Sequence, residues 1–407
     1  MATLPVKWYH SMMRGIPVIT GQKGKLRDFL DAVLVNGFGQ ITVNSITISN
    51  KIATIVIPNS ETFLRYSVIE ISGDDQLKGE YRVIESTTSY IKIKVDLPDQ
   101  VFSSSMFVKY ASLGWTRQRP TLPDNASFYI PKESHSGFRL YINDNYNSAT
   151  LVKICKGVSN LGNTTDHNNV LIDYAPKSGT LFSCWYKSYN ASADTRANFL
   201  IGDGSCFYYQ WCRTDGGNSY VGLTTGKVMF CGDINRAYPG DTNAAVITCT
   251  YTNNPDYIGY TNHGDSMALK STINVNYHNS GSNIYKTFIG NVFGDSVTDF
   301  AGRTQDGASI NDWSGWGGTY IDESLVGGVE LLKMKAVTNR AIRGDYPGIF
   351  FSATDLQALT DLTIEEGSGE LAGRLVLFKK SSDASAASAD FENGVAVCVA
   401  YDITGPW

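Results

Sequence analysis

The sequence is short of charge: Asp, Glu, Lys and Arg make up only 18% of its 407 residues. The 34 basic residues stand against 39 acidic ones, a formal charge of -5, and nowhere do lysine and arginine gather into a block. A nucleic-acid-binding face normally shows as a basic stripe, so that class of partner is excluded from the expectation. Long apolar runs are missing too. Nothing approaches the roughly 18 consecutive apolar residues of a membrane span. The opening Met1-Ala2-Thr3-Leu4-Pro5-Val6-Lys7-Trp8 has neither the basic nor the apolar region of a signal peptide, which leads to the expectation of a chain made and kept in a cytosol.

Histidine is scarce and scattered: His10, His135, His167, His263 and His278 form no pair at the short spacing that metal sites commonly use. The seven cysteines are odd in number and contain no C-x-x-C pair. Cys206 and Cys212 end the strand-like Cys-Phe-Tyr-Tyr-Gln-Trp-Cys on one face, roughly 20 Å apart by strand rise and beyond disulfide reach. Small buried hydrophobes in a reduced protein are the simplest role for the cysteines, with one or two disulfides among the others left open.

Aromatic residues are plentiful, with 23 Tyr and 18 Phe, and Gly (39) far exceeds Pro (12). This composition belongs to a globular, β-rich chain and not to a disordered one. The one clear helical stripe is Leu26, Phe29, Leu30, Val33 and Leu34, which ends at Asn36-Gly37-Phe38-Gly39. Ahead of it, Trp8 to Pro17 is apolar without a helical or strand period, so this arm is expected to pack against another domain or another chain. From 41 to about 112 come short β-branched runs at 52–57, 68–71, 81–84, 91–95 and 106–110, and Tyr90-Ile91-Lys92-Ile93-Lys94-Val95 alternates cleanly. Residues 116–120 read as an exit linker. Beyond about 125 the strand-like runs are 138–142, 151–155, 181–186, 199–201, 228–231, 245–250, 329–334, 374–378 and 395–401. The Ser/Ala segment 381–389 reads as a solvated hairpin loop.

The fold expected is therefore mainly β: an N-terminal arm with one short helix (1–40), a small β-barrel or sandwich domain (41–115), then a larger antiparallel β-sandwich region. The last divides into a first part (125–255) and a second part or separate domain (256–407).

Catalytic constellations are missing. Gly202-Asp203-Gly204-Ser205-Cys206 is no nucleophile elbow, Gly222 to Lys227 lacks the helix start of a phosphate loop and reads as a hairpin turn, and no spacing singles out a carboxylate pair. Arg343-Gly344-Asp345 reads as a tight turn before a strand at 349–351. No catalytic residue, metal ligand or cofactor is expected. Trp313 and Trp316, set among glycines, suit stacking on a sugar, a plug over a sandwich end, or a subunit contact. Trp8, Tyr9, Met12, Met13 and Trp407 are candidates for intersubunit anchors or, equally, for closing the chain's own domains.

Six segments follow one another in a telling order: Gly15-Ile16-Pro17 with Leu30-Asp31-Ala32-Val33-Leu34-Val35-Asn36-Gly37-Phe38-Gly39; Ile69 to Gly73 with Leu77-Lys78-Gly79-Glu80-Tyr81-Arg82-Val83; Ala111-Ser112-Leu113-Gly114-Trp115; Phe230-Cys231-Gly232-Asp233-Ile234; Arg343 to Gly348; and Asp402-Ile403-Thr404-Gly405-Pro406-Trp407. Taken in that order they resemble tailed-bacteriophage virion structural proteins. Lys78 stands where the group usually has Asn, and the stretch from Cys155 to Asn190 departs most from the group's pattern. The resemblance implies a non-enzymatic particle component of the tail, baseplate or collar, made in the host cytoplasm and held in the virion. Its implied partners are other virion structural proteins and further copies of itself as a homo-oligomer. A receptor- or glycan-binding module facing a host-surface glycan is the alternative, and a depolymerase a third.

Overall fold

The computed structural model describes residues 6–58, 62–119, 124–156, 182–187, 195, 197–211, 228–239, 245–248, 250–252, 360–382 and 396–407, with strand segments at 275–277, 288–290, 298–300, 303–304, 324–326, 329–338 and 341–352. These residues are mainly β, and every strand pairing in them is antiparallel. Among them no helix is long and apolar enough to cross a membrane, a finding that does not touch strand-built membrane proteins.

The expected helical stripe forms. An α-helix over Lys25–Leu30 widens into a π-helical turn over Asp31–Asn36, closed by Gly37 N–H donating to Ala32 O at 2.8 Å. All five stripe residues are fully buried. Gly37, at φ 71°, ends the helix in a conformation costly for any residue with a Cβ.

The small domain is one curled eight-stranded sheet. Its strand order is Phe38–Val43, Met106–Tyr110, Val68–Ser72, Gly79–Ser86, Tyr90–Lys94, Ile52–Val56, Ile46–Ser49 and Gln100–Phe102. The central Gly79–Ser86 strand bends at an irregularity between Val83 and Glu85, so its first half pairs with one neighbour and its second half with the other. Bulges of this kind turn a sheet toward a barrel.

The remaining strands, apart from Thr298–Phe300 and Arg303–Thr304, which pair with each other, stack in three layers. The middle sheet includes Lys7–His10, Asn198–Gly202, Cys206–Trp211, Val228–Asp233 and Ala245–Thr248. One outer sheet includes Thr116–Gln118, Ala126–Ile130, Phe138–Asn143, Ala149–Lys156 and Phe182–Tyr186; the other is built on Val329–Thr338, Ala341–Ser352, Leu375–Ser382 and Ala396–Asp402. The strand Cys206–Trp211 shows the layering through its two-residue period. Phe207 and Tyr209 meet Trp185 of the first outer sheet, at 5.7 and 5.9 Å between ring centroids. Tyr208 meets Tyr401 of the other at 5.5 Å, and Gln210 Nε2 donates to the Tyr401 hydroxyl at 2.6 Å.

Three expectations need correction. The arm carries a strand, Lys7–His10, paired with residues 199–202 and buried at every position. A strand covered on both faces has no reason to alternate, which hides it from a period-two pattern. Residues 116–118, read as linker, form a strand at the edge of an outer sheet. Arg343-Gly344-Asp345 is no turn. It lies inside the strand Ala341–Ser352, where Gly344 and Asp345 pair with Arg236 and Asn235. A Cβ on Gly344 would overlap Asn235 O, so glycine here permits a close strand crossing. The Ser/Ala loop and the Gly222–Lys227 turn lie outside the described residues, except that Ser381 and Ser382 end a strand; the strands flanking each are antiparallel neighbours.

Cys184, Cys206 and Cys231 are free and buried, and the side chains of the other four cysteines lie outside what is described.

Candidate functional site

A cavity of about 420 Å³ opens where the middle sheet, the small domain and the last residues of the sequence meet. Three short segments build its polar wall. The first is the turn Asp203-Gly204-Ser205 joining two strands of the middle sheet. Asp203 Oδ1 accepts from Ser205 N at 2.7 Å, Ser205 Oγ at 2.8 Å and Cys206 N at 3.0 Å, an Asx turn that fixes the hairpin. The second is the loop after strand Ala126–Ile130, tied to that turn by Glu133 N–H donating to Gly204 O at 2.9 Å. The third is the strand end at Asp233. Its Oδ2 accepts from Ser134 Oγ at 2.8 Å, His135 N at 2.9 Å and Ser136 N at 3.3 Å, while its Oδ1 is buried without a partner.

Glycine sets the approach of these segments. Gly232 has φ 151°, and a Cβ there would collide with Cys206, so the strand bearing Asp233 could not lie so close to the strand that follows the Asp203 turn. On the small-domain side, Lys7 Nζ donates to Glu80 Oε1 at 2.8 Å and Ser112 O at 2.5 Å. Trp407 closes the remaining side. Its Nε1 donates to Asp402 O at 2.7 Å, and its ring stands edge-on to Tyr208 and sits on Gly348, where any Cβ would overlap the indole.

Burial shapes the titration of the wall. Desolvation raises the Asp203 carboxyl above its ordinary value against the pull of its three donors, and lowers Lys7 against the pull of Glu80. The Cys206 and Cys231 thiols are pushed well up by burial, which suits core packing and not nucleophilic chemistry.

Both cavity serines donate to carboxylates, so neither is engaged with a histidine base as acyl transfer requires. The Asp203 turn is a hairpin between two antiparallel strands. Among the described residues no group of three or more His, Cys, Asp or Glu converges to hold a metal ion.

Of the sequence candidates, Trp8, Tyr9 and Met13 are 4%, 1% and 3% exposed and belong to the chain's own core. Trp8 Nε1 donates to Tyr66 O at 3.3 Å and the Tyr9 hydroxyl to Ala111 O at 2.7 Å, so the arm ties the middle sheet to the small domain. Met12 is 58% exposed. Trp407, partly buried, is the one candidate among the described residues brought to the cavity. Trp313 and Trp316 lie outside the described residues. Asp203, Ser134 and His135 were not singled out as site residues, and Asp233 only as part of a resembling segment. The three wall segments are far apart in sequence, and only the Asp-Gly-Ser turn carried a local signal.

Comparison with protein-family models finds no match to the chain. Comparisons with curated proteins and with solved structures likewise find none.

Proposed function

We propose that the chain is a non-enzymatic structural component of a tailed-phage virion, in the tail, baseplate or collar, acting through docking to neighbouring subunits. One observation carries this reading: the segments that resemble the phage group, scattered over nearly the whole sequence, meet one another in space. Gly15 abuts Gly39 so closely that a Cβ on either would strike backbone of the other's segment. Leu113 and Trp115 N–H groups donate to Val33 O and Leu34 O, both at 2.9 Å. Arg82 Nη2 donates to Ile403 O at 2.5 Å, Phe230 packs edge-on against Tyr346 at 5.0 Å, and Trp407 rests on Gly348. Such a set specifies how the small domain and the stacked sheets are fixed together, which is what a part fitted between neighbours needs. An enzyme would more commonly concentrate its signature on reacting groups.

The test is mass spectrometry of gradient-purified particles from cells producing the phage that encodes this chain. The chain is expected in fixed stoichiometry with known tail or collar proteins. Its absence from intact particles overturns the reading.

A further inference from the structure

We infer that His10 is an acid-operated latch on the N-terminal arm: when its imidazole takes a second proton, the turn after it opens and the strand Lys7–His10 comes away from the edge of the middle sheet. The latch belongs to the folded chain whatever its role in a particle. His10 ends that strand, 5% exposed, and closes the turn twice: its Nδ1 accepts Met12 N–H at 3.0 Å and its carbonyl accepts Met13 N–H at 2.9 Å. Only a neutral ring can accept on Nδ1, and such a ring carries its proton on Nε2. A second proton must sit on Nδ1, where it turns an acceptor into a donor facing another donor. The turn therefore cannot keep this bond and take the proton. The opening is bounded on its far side, because Arg14 Nη1 donates to Gly39 O at 2.8 Å and Gly15 lies against Gly39.

The neighbouring polar groups are already committed. Within the strand, Lys7 points to the opposite face, where it donates to Glu80 Oε1 and Ser112 O, while Trp8 shares the face of His10 and stacks on its ring at 5.8 Å. Across the sheet His10 pairs with Phe199, whose ring lies 5.7 Å from Tyr401 of the outer sheet, and the Tyr401 hydroxyl is taken up by Gln210. The same outer sheet brings Lys379, 1% exposed and bonded to Asp361 Oδ2 at 2.7 Å, so Asp361 is spent on the lysine and the lysine repels a charged imidazole. Burial first, and then Lys379, lowers the pKa of the ring from 6.5 to about 4. A ring freed into water regains its ordinary value, so the open arm binds the proton more readily and is favoured as pH falls from about 6.5 toward 4. Above that range the ring is neutral in both forms and the arm stays closed. Trp8 Nε1 and the Tyr9 hydroxyl tie the arm to Tyr66 O and Ala111 O of the small domain, so opening loosens that junction and bares the edge of Asn198–Gly202.

The test is hydrogen exchange followed by mass spectrometry on the purified full-length chain at about pH 7 and about pH 4.5, each rate divided by that of an unstructured peptide at the same pH. Protection of residues 7–13 is expected to fall by about tenfold or more at the lower pH, while the helix Lys25–Leu30 keeps its own. His10→Asn supplies an oxygen for Met12 N–H and does not titrate, so its arm is expected to stay equally protected at both. Unchanged protection of the wild-type arm overturns the proposal, as does loss of arm and helix together, which is general unfolding. An arm that opens in His10→Asn as it does in wild type overturns it too. Should the variant fail to fold, the contrast between arm and helix in the wild-type chain decides the matter.

Discussion

The curled sheet and the middle sheet of the stack are both antiparallel, yet they handle polar residues in opposite ways. In the curled sheet the strand Tyr90–Lys94 buries Ile91 and Ile93 and turns its lysines outward. Away from its contact with the stack it carries ion pairs at the surface, as with Lys51–Asp96 at 2.7 Å and Lys92–Glu85 at 2.8 Å. In the middle sheet Asn198–Gly202 and Val228–Asp233 are buried at every position, because an outer sheet covers each face. Polar groups there have no water to turn to and must be satisfied within the protein. The same chain thus has one region where charge keeps a sheet soluble and another where a few buried polar groups fix how layers meet.

The sharpest way to break this comparison is to remove one partner of a buried pair in the stack. Lys187 and Asp144 are both fully buried, with Nζ 2.5 Å from Oδ1. Lys187 also donates to Gln22 O and Tyr146 O, each at 2.8 Å, and Asp144 accepts from Thr150 Oγ1 at 2.7 Å and from Arg27 N at 3.0 Å. The pair therefore joins the start of the helix, a hairpin and the end of a strand. Lys187→Met strands a buried carboxylate and is expected to cost about 3–5 kcal/mol in urea unfolding. Asp144→Leu combined with Lys187→Met is expected to recover part of that, since it removes both charges. A single-variant loss no larger than that of a surface pair would mean that burial in the stack does not set the energetics.

How far the sequence could be read follows the same division. The curled sheet was legible because one face of each strand meets water, so Ile91, Lys92, Ile93 and Lys94 alternate, and the helical stripe Leu26 to Leu34 was legible for the same reason. Lys7–His10 was not, because Trp8 and Tyr9 are both buried and no period survives. Arg343–Asp345 misled in another way: Gly344 and the nearby Pro347 and Gly348 are turn formers by composition, but here glycine serves close packing against Asn235 and Trp407. The cavity was least legible. Asp203 lies in a turn, Asp233 ends a separate strand, and the third segment is a loop around Ser134, so nothing in linear spacing joins them. The aromatic arm was recognised as apolar and in need of a partner, which the middle sheet supplies.

The stack should also respond to mild acid, through a buried histidine. His10, 5% exposed, accepts Met12 N–H on Nδ1 at 3.0 Å and stacks on Trp8 with 5.8 Å between ring centroids. Burial, with Lys379 nearby, lowers its pKa from 6.5 to about 4. The unfolded chain therefore binds more protons than the folded one between these values. The contribution of neutral His10 is complete above about pH 6.5 and is lost as pH falls toward 4, amounting to about 3 kcal/mol. Asp144 and Asp203, with carboxyls raised by burial, act in the opposite sense, so the readout is the difference between proteins. His10→Asn keeps an acceptor for Met12 N–H and does not titrate. Its stability relative to wild type is expected to rise steadily as pH falls from 7 to 4, and a constant difference would remove His10 from the account.

The smallest effect is expected in the curled sheet, and its smallness is what the comparison requires. Lys51 and Asp96 form an ion pair as short as many buried ones, but their side chains are 73% and 92% exposed. The pair raises the lysine pKa and lowers that of the aspartate, mainly through the hydrogen bond between them. Water solvates both groups as well when apart, and holding two flexible side chains together costs entropy. A double-mutant cycle with Lys51→Met and Asp96→Asn is therefore expected to give a coupling within the scatter of urea denaturation, and raising the salt should remove what remains. A coupling as large as that of Lys187 with Asp144 would show that the short contact, and not exclusion of water, decides what an ion pair contributes in this protein.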